Sequence, residues 1–317
     1  MRKKRKLKKL LLIIITLILI IIILITGYKY LFQKDNSHDI TKTTYTESEK
    51  EFLNLGYSKN ELNYINKLSS TNQNKLKNIN YIDIKNYYEL KNFDVYKYER
   101  YENYKNDDMS YEDIVTRVNI GLDQEFYTNT SPALDQYEIT ILVNKYYYLD
   151  KDYVPNNLVT LFDSTRGAKM VDVAASSYKE LILAAKNDGI TLESTTAYRS
   201  YDFQNTLYTN YVKSDGVKKA DTYSARPGYS EHQTGLAVDL NDPNVTGSRL
   251  NDIDYNWLLN NAHNYGFIVR YQEKYIPITG YMEEPWHIRY VGKEIATELH
   301  KLDITYEEYY DLYLTDY

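Results

Sequence analysis

Apolar and polar positions divide the chain into three unlike stretches. Leu10 to Tyr28 runs uncharged for 19 residues, close to the ~20 that a helix needs to cross a ~30 Å hydrocarbon core. Seven of the first nine residues are basic, which predicts that residues 1–9 stay in the cytoplasm and that Tyr28, Tyr30 and Phe32 meet the outer interface. The apolar run is longer than the ~7–15 residues of a signal peptide, and Thr26-Gly27-Tyr28 makes a poor cleavage site. An uncleaved single-pass anchor over 10–28 is expected, with the remainder outside the cell. Residues 29–47 are polar without period and read as a tether. Residues 48–130 carry two helix-start signals, Tyr57-Ser58-x-x-Glu61-Leu62 and Met109-Ser110-x-x-Asp113-Ile114. They are taken as a small accessory module, a spacer in the first reading and a binding unit in the second.

From Tyr137 the periodicity firms. Glu138 to Val143 reads as a strand; Ala174, Tyr178, Leu181, Ile182 and Ala185 recur at helical spacing until Gly189. Ile190 to Tyr198 reads as a strand ending at Arg199, and Ser200 can cap a helix carrying Phe203, Leu207 and Tyr211. Leu236 to Leu240 is a short apolar strand, Asp254 to Tyr265 a helix closed by Gly266, and Trp286 to Val291 an alternating strand. Ile304-Thr305-x-x-Glu308-Tyr309 opens a tail helix over 303–317. This order predicts an α+β domain over 131–302, a small mixed or antiparallel sheet flanked by helices, with functional side chains drawn from loops and strand ends.

Composition narrows the chemistry. The 317 residues contain no cysteine, which removes disulfides, thiolate metal sites and cysteine nucleophiles. Without the basic tail the chain has 31 basic residues against 44 acidic, net −13, so nucleic acid is not an expected partner. Five of the eight arginines beyond the anchor (Arg199, Arg226, Arg249, Arg270, Arg289) fall between 199 and 289. Arginine makes bidentate contacts that lysine cannot, so this clustering hints at a site that handles carboxylates. The 37 tyrosines are read as compositional bias.

The candidate site lies between Ala197 and Tyr290. His232 and Asp239 are seven apart; on one helix that spacing separates them by ~10 Å, too far for two ligands each ~2 Å from one ion. Asp239 instead sits inside an apolar strand, where an unpaired carboxylate is costly and calls for a cation. His287 shares a strand face with Arg289, while Glu284, three residues earlier, needs a break at Pro285 to reach the same side. Two imidazoles and a carboxylate suit one Zn²⁺ per chain with a fourth position open, and a nearby carboxylate that is not a ligand can act as base. His263 and His300 fall inside helices and His38 in the tether, so all three are read as structural. Ser176-Ser177-Tyr178-Lys179 matches a serine-enzyme tetrad, but its Lys-Thr-Gly partner is missing.

The run Ser230-Glu231-His232 to Asp239, followed by Glu284-Pro285-Trp286-His287 and preceded by Tyr198-Arg199-Ser200, resembles the VanY-type zinc D-alanyl-D-alanine carboxypeptidases, which trim bacterial cell-wall peptides. The resemblance covers about Tyr137 to Leu302. It implies that His232, Asp239 and His287 bind zinc, that Glu284 is the catalytic base, and that Arg199 steadies substrate or oxyanion. Tyr198, Gln204, Ser230 and Trp286 are then the candidate substrate contacts. The implied reaction is hydrolysis of the terminal D-Ala of a peptidoglycan stem peptide; an L,D-carboxypeptidase on tetrapeptide stems and a catalytically silent zinc-bearing wall-binding module are the alternatives. Glu284 separates enzyme from module, because a structural site needs no free base. If the anchor is uncleaved, protease added to intact, wall-stripped cells releases the exported part and leaves the basic tail protected; mature protein in the medium beginning near Gly27 contradicts it.

Overall fold

Four short strands build the sheet that carries the site: β1 (Glu193–Thr196), β2 (Ala237–Asn241), β3 (Phe267–Tyr271) and β4 (Glu284–Tyr290). They run antiparallel in the order β1-β2-β4-β3. The period of two sends Val238, Leu240, Phe267, Val269, Ile288 and Tyr290 to one face, where they join the main core. The opposite face receives Asp239, Arg270, His287 and Arg289. Register completes the placement, because Asp239 pairs with His287 and Val238 with Ile288.

Helices flank the sheet. Helix α1 (Asp172–Asn187) buries Ala174, Tyr178, Leu181, Ile182 and Ala185 and ends at Asp188, after which Gly189 takes φ +82°. Full burial of a side chain such as Leu181 or Ile182 contributes about 1.5–3 kcal/mol, more than the few tenths separating most helix propensities. Packing therefore decides this helix. Helix α2 (Tyr201–Asp215) starts where the Ser200 hydroxyl accepts from Phe203 N–H, and α3 (Asp252–Asn261) is fixed by an Asn251–Asp254 capping box before a 3-10 turn reaches Gly266. Helices α4 (Lys293–Leu302) and α5 (Tyr306–Tyr309) close the chain, the latter under a Thr305–Glu308 capping box. The expected α+β class holds.

The computed structural model describes residues 45–246 and 250–315, in two compact units divided between Gln73 and Asn74. The expected anchor, His38 and Arg249 lie outside the described residues, among which no helix is long and apolar enough to cross a membrane. In the first unit a helix at Glu47–Asn54 is held by a Thr46–Glu49 capping box, and Phe52 meets Tyr57 edge-on at 5.3 Å. The second unit opens with short helices between Tyr81 and Asn119. Tyr87 stacks on Tyr101 at 5.8 Å and meets Tyr111 edge-on at 4.8 Å. Part of the tyrosine richness is thus a core.

Two strand expectations are corrected. Residues 138–143 form a bend, a turn and irregular chain, not a strand; Arg289 donates to the carbonyls of Ile139 and Ile141 at 3.0 and 2.7 Å, and Tyr306 Oη to that of Thr140 at 2.6 Å. Side chains satisfy what a neighbouring strand otherwise would. Nor does Pro285 break β4, which runs on from Glu284. Tyr271 pairs with Glu284 and Val269 with Ile288, so three residues of β4 oppose one of β3. This bulge re-aims Glu284 without ending the strand.

Arg289 is fully buried and also reaches Glu231 at 3.1 Å. Replacing it (Arg289→Met) orphans two carbonyls and unbalances a buried carboxylate. Urea denaturation of the variant is expected to show a loss of about 3–5 kcal/mol; a loss under about 1 kcal/mol contradicts this reading of the layer.

Candidate metal centre

The first imidazole comes from a tight turn. Glu231–Thr234 form one 3-10 turn, all four side chains buried, and Gly235 closes it in the left-handed region at φ +71°. A Cβ there would meet Leu158, Pro155 and Val171 at 3.0–3.1 Å, so both backbone angle and space demand glycine. The chain then enters β2, which carries Asp239, opposite His287 on β4.

These three residues converge. One ligand atom from each of His232, Asp239 and His287 lies within 4.8 Å of the others, and all three side chains are buried. His232 Nε2 is 3.4 Å and His287 Nδ1 3.2 Å from Asp239 Oδ1, with the rings nearly perpendicular. Each ring's other nitrogen is already engaged. His232 Nδ1 lies 2.7 Å from the Ala197 carbonyl, and His287 Nε2 lies 3.0 Å from Glu231 Oε2. Donation from those nitrogens leaves Nε2 of His232 and Nδ1 of His287, the atoms nearest Asp239, as the ones a metal would take in place of a proton, the tautomers that metal binding needs.

The electrostatics point the same way. Burial by itself raises the Asp239 carboxyl, yet the two imidazoles outweigh it and hold the group well below the carboxylate range. Burial, then the Arg199 charge, lowers His232 to about 4. His287 rises to about 9 against its burial, because Asp239 and Glu231 flank it. The pocket asks for positive charge at its centre. Two nitrogens, one carboxylate oxygen and no sulfur fit Zn²⁺.

Around this centre lies a cavity of about 290 Å³ lined by Arg199, Ser230, Glu284, Trp286, Tyr271 and Tyr281, among others. Glu284 Oε2 stands 4.0 Å from His287 Nδ1, beside the centre but outside the three converging groups. Arg199 reaches Asp239 Oδ2 at 3.8 Å and donates to Gln204 Oε1 at 2.7 Å. Gln204 is buried and its amide donates to the Ala225 carbonyl and Ser224 Oγ. Both ends of the amide are thus engaged, and Gln204, which also lines the cavity, holds Arg199 in place. Tyr198 does not line this cavity, since adjacent residues of an extended segment point to opposite sides.

The arginine cluster also reads differently in space. Arg270 pairs with Glu231 and Glu307, Arg289 with Glu231, and Arg226 with Asp221. These cations serve the protein's own carboxylates, and Arg199 is the one of the described four that lines the cavity. Glu231 went unassigned from sequence although it adjoins His232. An acidic residue beside a ligand is indistinguishable from a surface one until its burial is known. Tyr271, 4.9 Å from the His287 ring, and Tyr281 were missed for the same reason.

Comparison with known proteins agrees with this geometry. Residues 167–293 match the family model described as VanY, D-alanyl-D-alanine carboxypeptidase. A Bacillus subtilis (strain 168) protein, YodJ, named provisionally as a carboxypeptidase, is 40% identical over 184 residues, 55% of this chain and 67% of its own. A D-alanyl-D-alanine carboxypeptidase of Enterococcus faecalis is 33% identical over 181 residues, 53% of this chain and 64% of its own. The chain thus spans about two thirds of the length of these relatives. The solved LdcB LD-carboxypeptidase superposes with a TM-score of 0.54 at 37% identity, over 58% of this chain and 91% of that one. The identity to YodJ across two thirds of its length, with the family model matched over the site itself, shows that the chain belongs to the VanY family of D-alanyl-D-alanine carboxypeptidases, which are zinc metallopeptidases.

Proposed function

We propose that the chain is a membrane-anchored zinc carboxypeptidase that hydrolyses the terminal D-Ala of peptidoglycan stem peptides, with His232, Asp239 and His287 as its metal ligands. The observation that carries the reading is the buried His–Asp–His convergence with a second acidic group, Glu284, 4.0 Å from His287 Nδ1 and facing the same cavity. A structural zinc site has no use for that carboxylate. The uncharged run Leu10–Tyr28 behind a basic tail supports the anchor and the outward placement of the domain.

When bound, zinc supplies Lewis acidity to a peptide carbonyl and lowers the pKa of its water from ~15.7 toward ~7. The chain's own residues do the rest. Glu284 takes the proton from the attacking water and delivers it to the leaving amine of D-Ala. Arg199, braced by Gln204, presents a fixed cation to the developing oxyanion or the substrate carboxylate. Ser230 and Trp286 wall the same cavity. Likeness to the Enterococcus faecalis relative favours the D,D reaction, while likeness to the LdcB LD-carboxypeptidase supports cleavage after an L-configured residue as the second reading.

Two outcomes test this. Glu284→Gln is expected to keep zinc at native stoichiometry while kcat falls ~10²–10⁴-fold, about 2.7–5.4 kcal/mol at 1.36 per decade; undiminished turnover places the base elsewhere. Incubation with defined stem pentapeptide and tetrapeptide, read by mass, is expected to remove one Ala from the pentapeptide. Loss from the tetrapeptide alone selects the L,D reaction, and internal cleavage with the terminal D-Ala retained contradicts both.

A further inference from the structure

Beneath the metal centre lies a buried group of four charges that the proposed reaction does not use. Glu231 Oε1 accepts from Arg270 Nε at 2.9 Å and Arg289 Nη1 at 3.1 Å, leaving Oε2 for His287 Nε2. Arg270 Nη2 donates in turn to Glu307 Oε1 at 2.5 Å. The four side chains are between 0% and 4% exposed. Glu307 belongs to α5, beyond residue 293, where the family match ends.

We propose that Glu307 is a positioning residue for the metal centre: through Arg270 it sets how strongly Glu231 holds and polarises His287. The inference rests on His287 being a zinc ligand. Two guanidinium groups converge on one carboxylate oxygen of Glu231, and each draws electron density from the group that must accept from His287. Glu307 divides the attention of one of them. With Glu307 neutral, the whole Arg270 charge falls on Glu231, which becomes a weaker acceptor and makes the imidazole a poorer donor to the metal. Carboxylates that accept from a ligand histidine raise its basicity and fix its ring; here the carboxylate's own strength is tuned from a helix at the far end of the chain. Asn144 Nδ2, 3.4 Å from Glu307 Oε1, and Tyr306, whose ring lies 5.4 Å from the Arg289 guanidinium, complete the enclosure.

The test is metal binding by the full-length protein in detergent, with zinc affinity from competition against a chromophoric chelator and ligand field from the visible absorption of the Co²⁺ form. Glu307→Gln is expected to weaken zinc about tenfold, the lower end of the ~10–100-fold seen when outer-shell partners are changed, and to shift the cobalt absorption. The double variant Arg270→Gln/Glu307→Gln removes the surplus charge and is expected to regain most of that affinity. Glu308→Ala loosens the same helix by removing the carboxylate half of its capping box at Thr305 without touching Arg270, and is expected to bind as native. Native affinity and spectrum in Glu307→Gln, or a double variant as weak as the single one, overturns the proposal. So does an equal loss in Glu308→Ala, which would mark a merely structural role. If Glu307→Gln does not fold, Glu307→Asp takes its place: a smaller loss of affinity supports the proposal and unchanged affinity overturns it. His287→Ala is measured alongside. Zinc retained there at native affinity refutes the ligand assignment itself, a separate failure from that of Glu307.

Discussion

A carboxylate buried between two imidazoles governs this structure. Asp239 is 4% exposed within a sheet, and an ionised carboxylate taken out of water is costly unless a positive partner meets it. The register of β2 against β4 sets His287 opposite it, and the 3-10 turn before β2 brings His232 to its other side. Once both imidazoles are turned by their outer hydrogen bonds to Ala197 and Glu231, three donors face one point. Zinc is what that arrangement suits.

The surroundings follow from the need to keep those donors still. On the outer side Gln204 braces Arg199, so the cavity holds one cation in a fixed place. On the inner side Arg270 and Arg289 neutralise Glu231, and Arg289 also ties down the turns at Ile139 and Ile141. Buried ion pairs of this kind add little net stability, yet removing one partner is expensive. Their value here is positional. A bulge in β4 supplies the last adjustment, turning Glu284 toward the centre where strict alternation would point it away.

The chain disclosed its site more readily than its fold. The spacing of His232 and Asp239, the apolar company of Asp239 and the Glu284–His287 pair could be reasoned from the order of residues, because metal chemistry restricts which types meet at one ion. The helix of α1 and the caps at Ser200, Thr305 and Ser110 were also legible, being local signals. What could not be read was anything decided by partners distant in sequence. Residues 138–143 look like a strand because Ile139, Ile141 and Val143 alternate, but Arg289, some 150 positions on, takes the carbonyls. Glu231 and Glu307 look like surface acids until two buried arginines meet them. Clustering of arginine is visible in the order of residues but its targets are not, since sequence does not say whether a guanidinium faces a substrate or a neighbour.

The central claim is the identity of the ligands at one zinc ion. X-ray absorption at the zinc edge of the loaded protein measures this directly. Four nitrogen or oxygen neighbours at about 2.0–2.2 Å, with the outer-shell scattering of two imidazoles, are the result that the geometry predicts. A six-oxygen shell, or scattering from one imidazole or none, contradicts it.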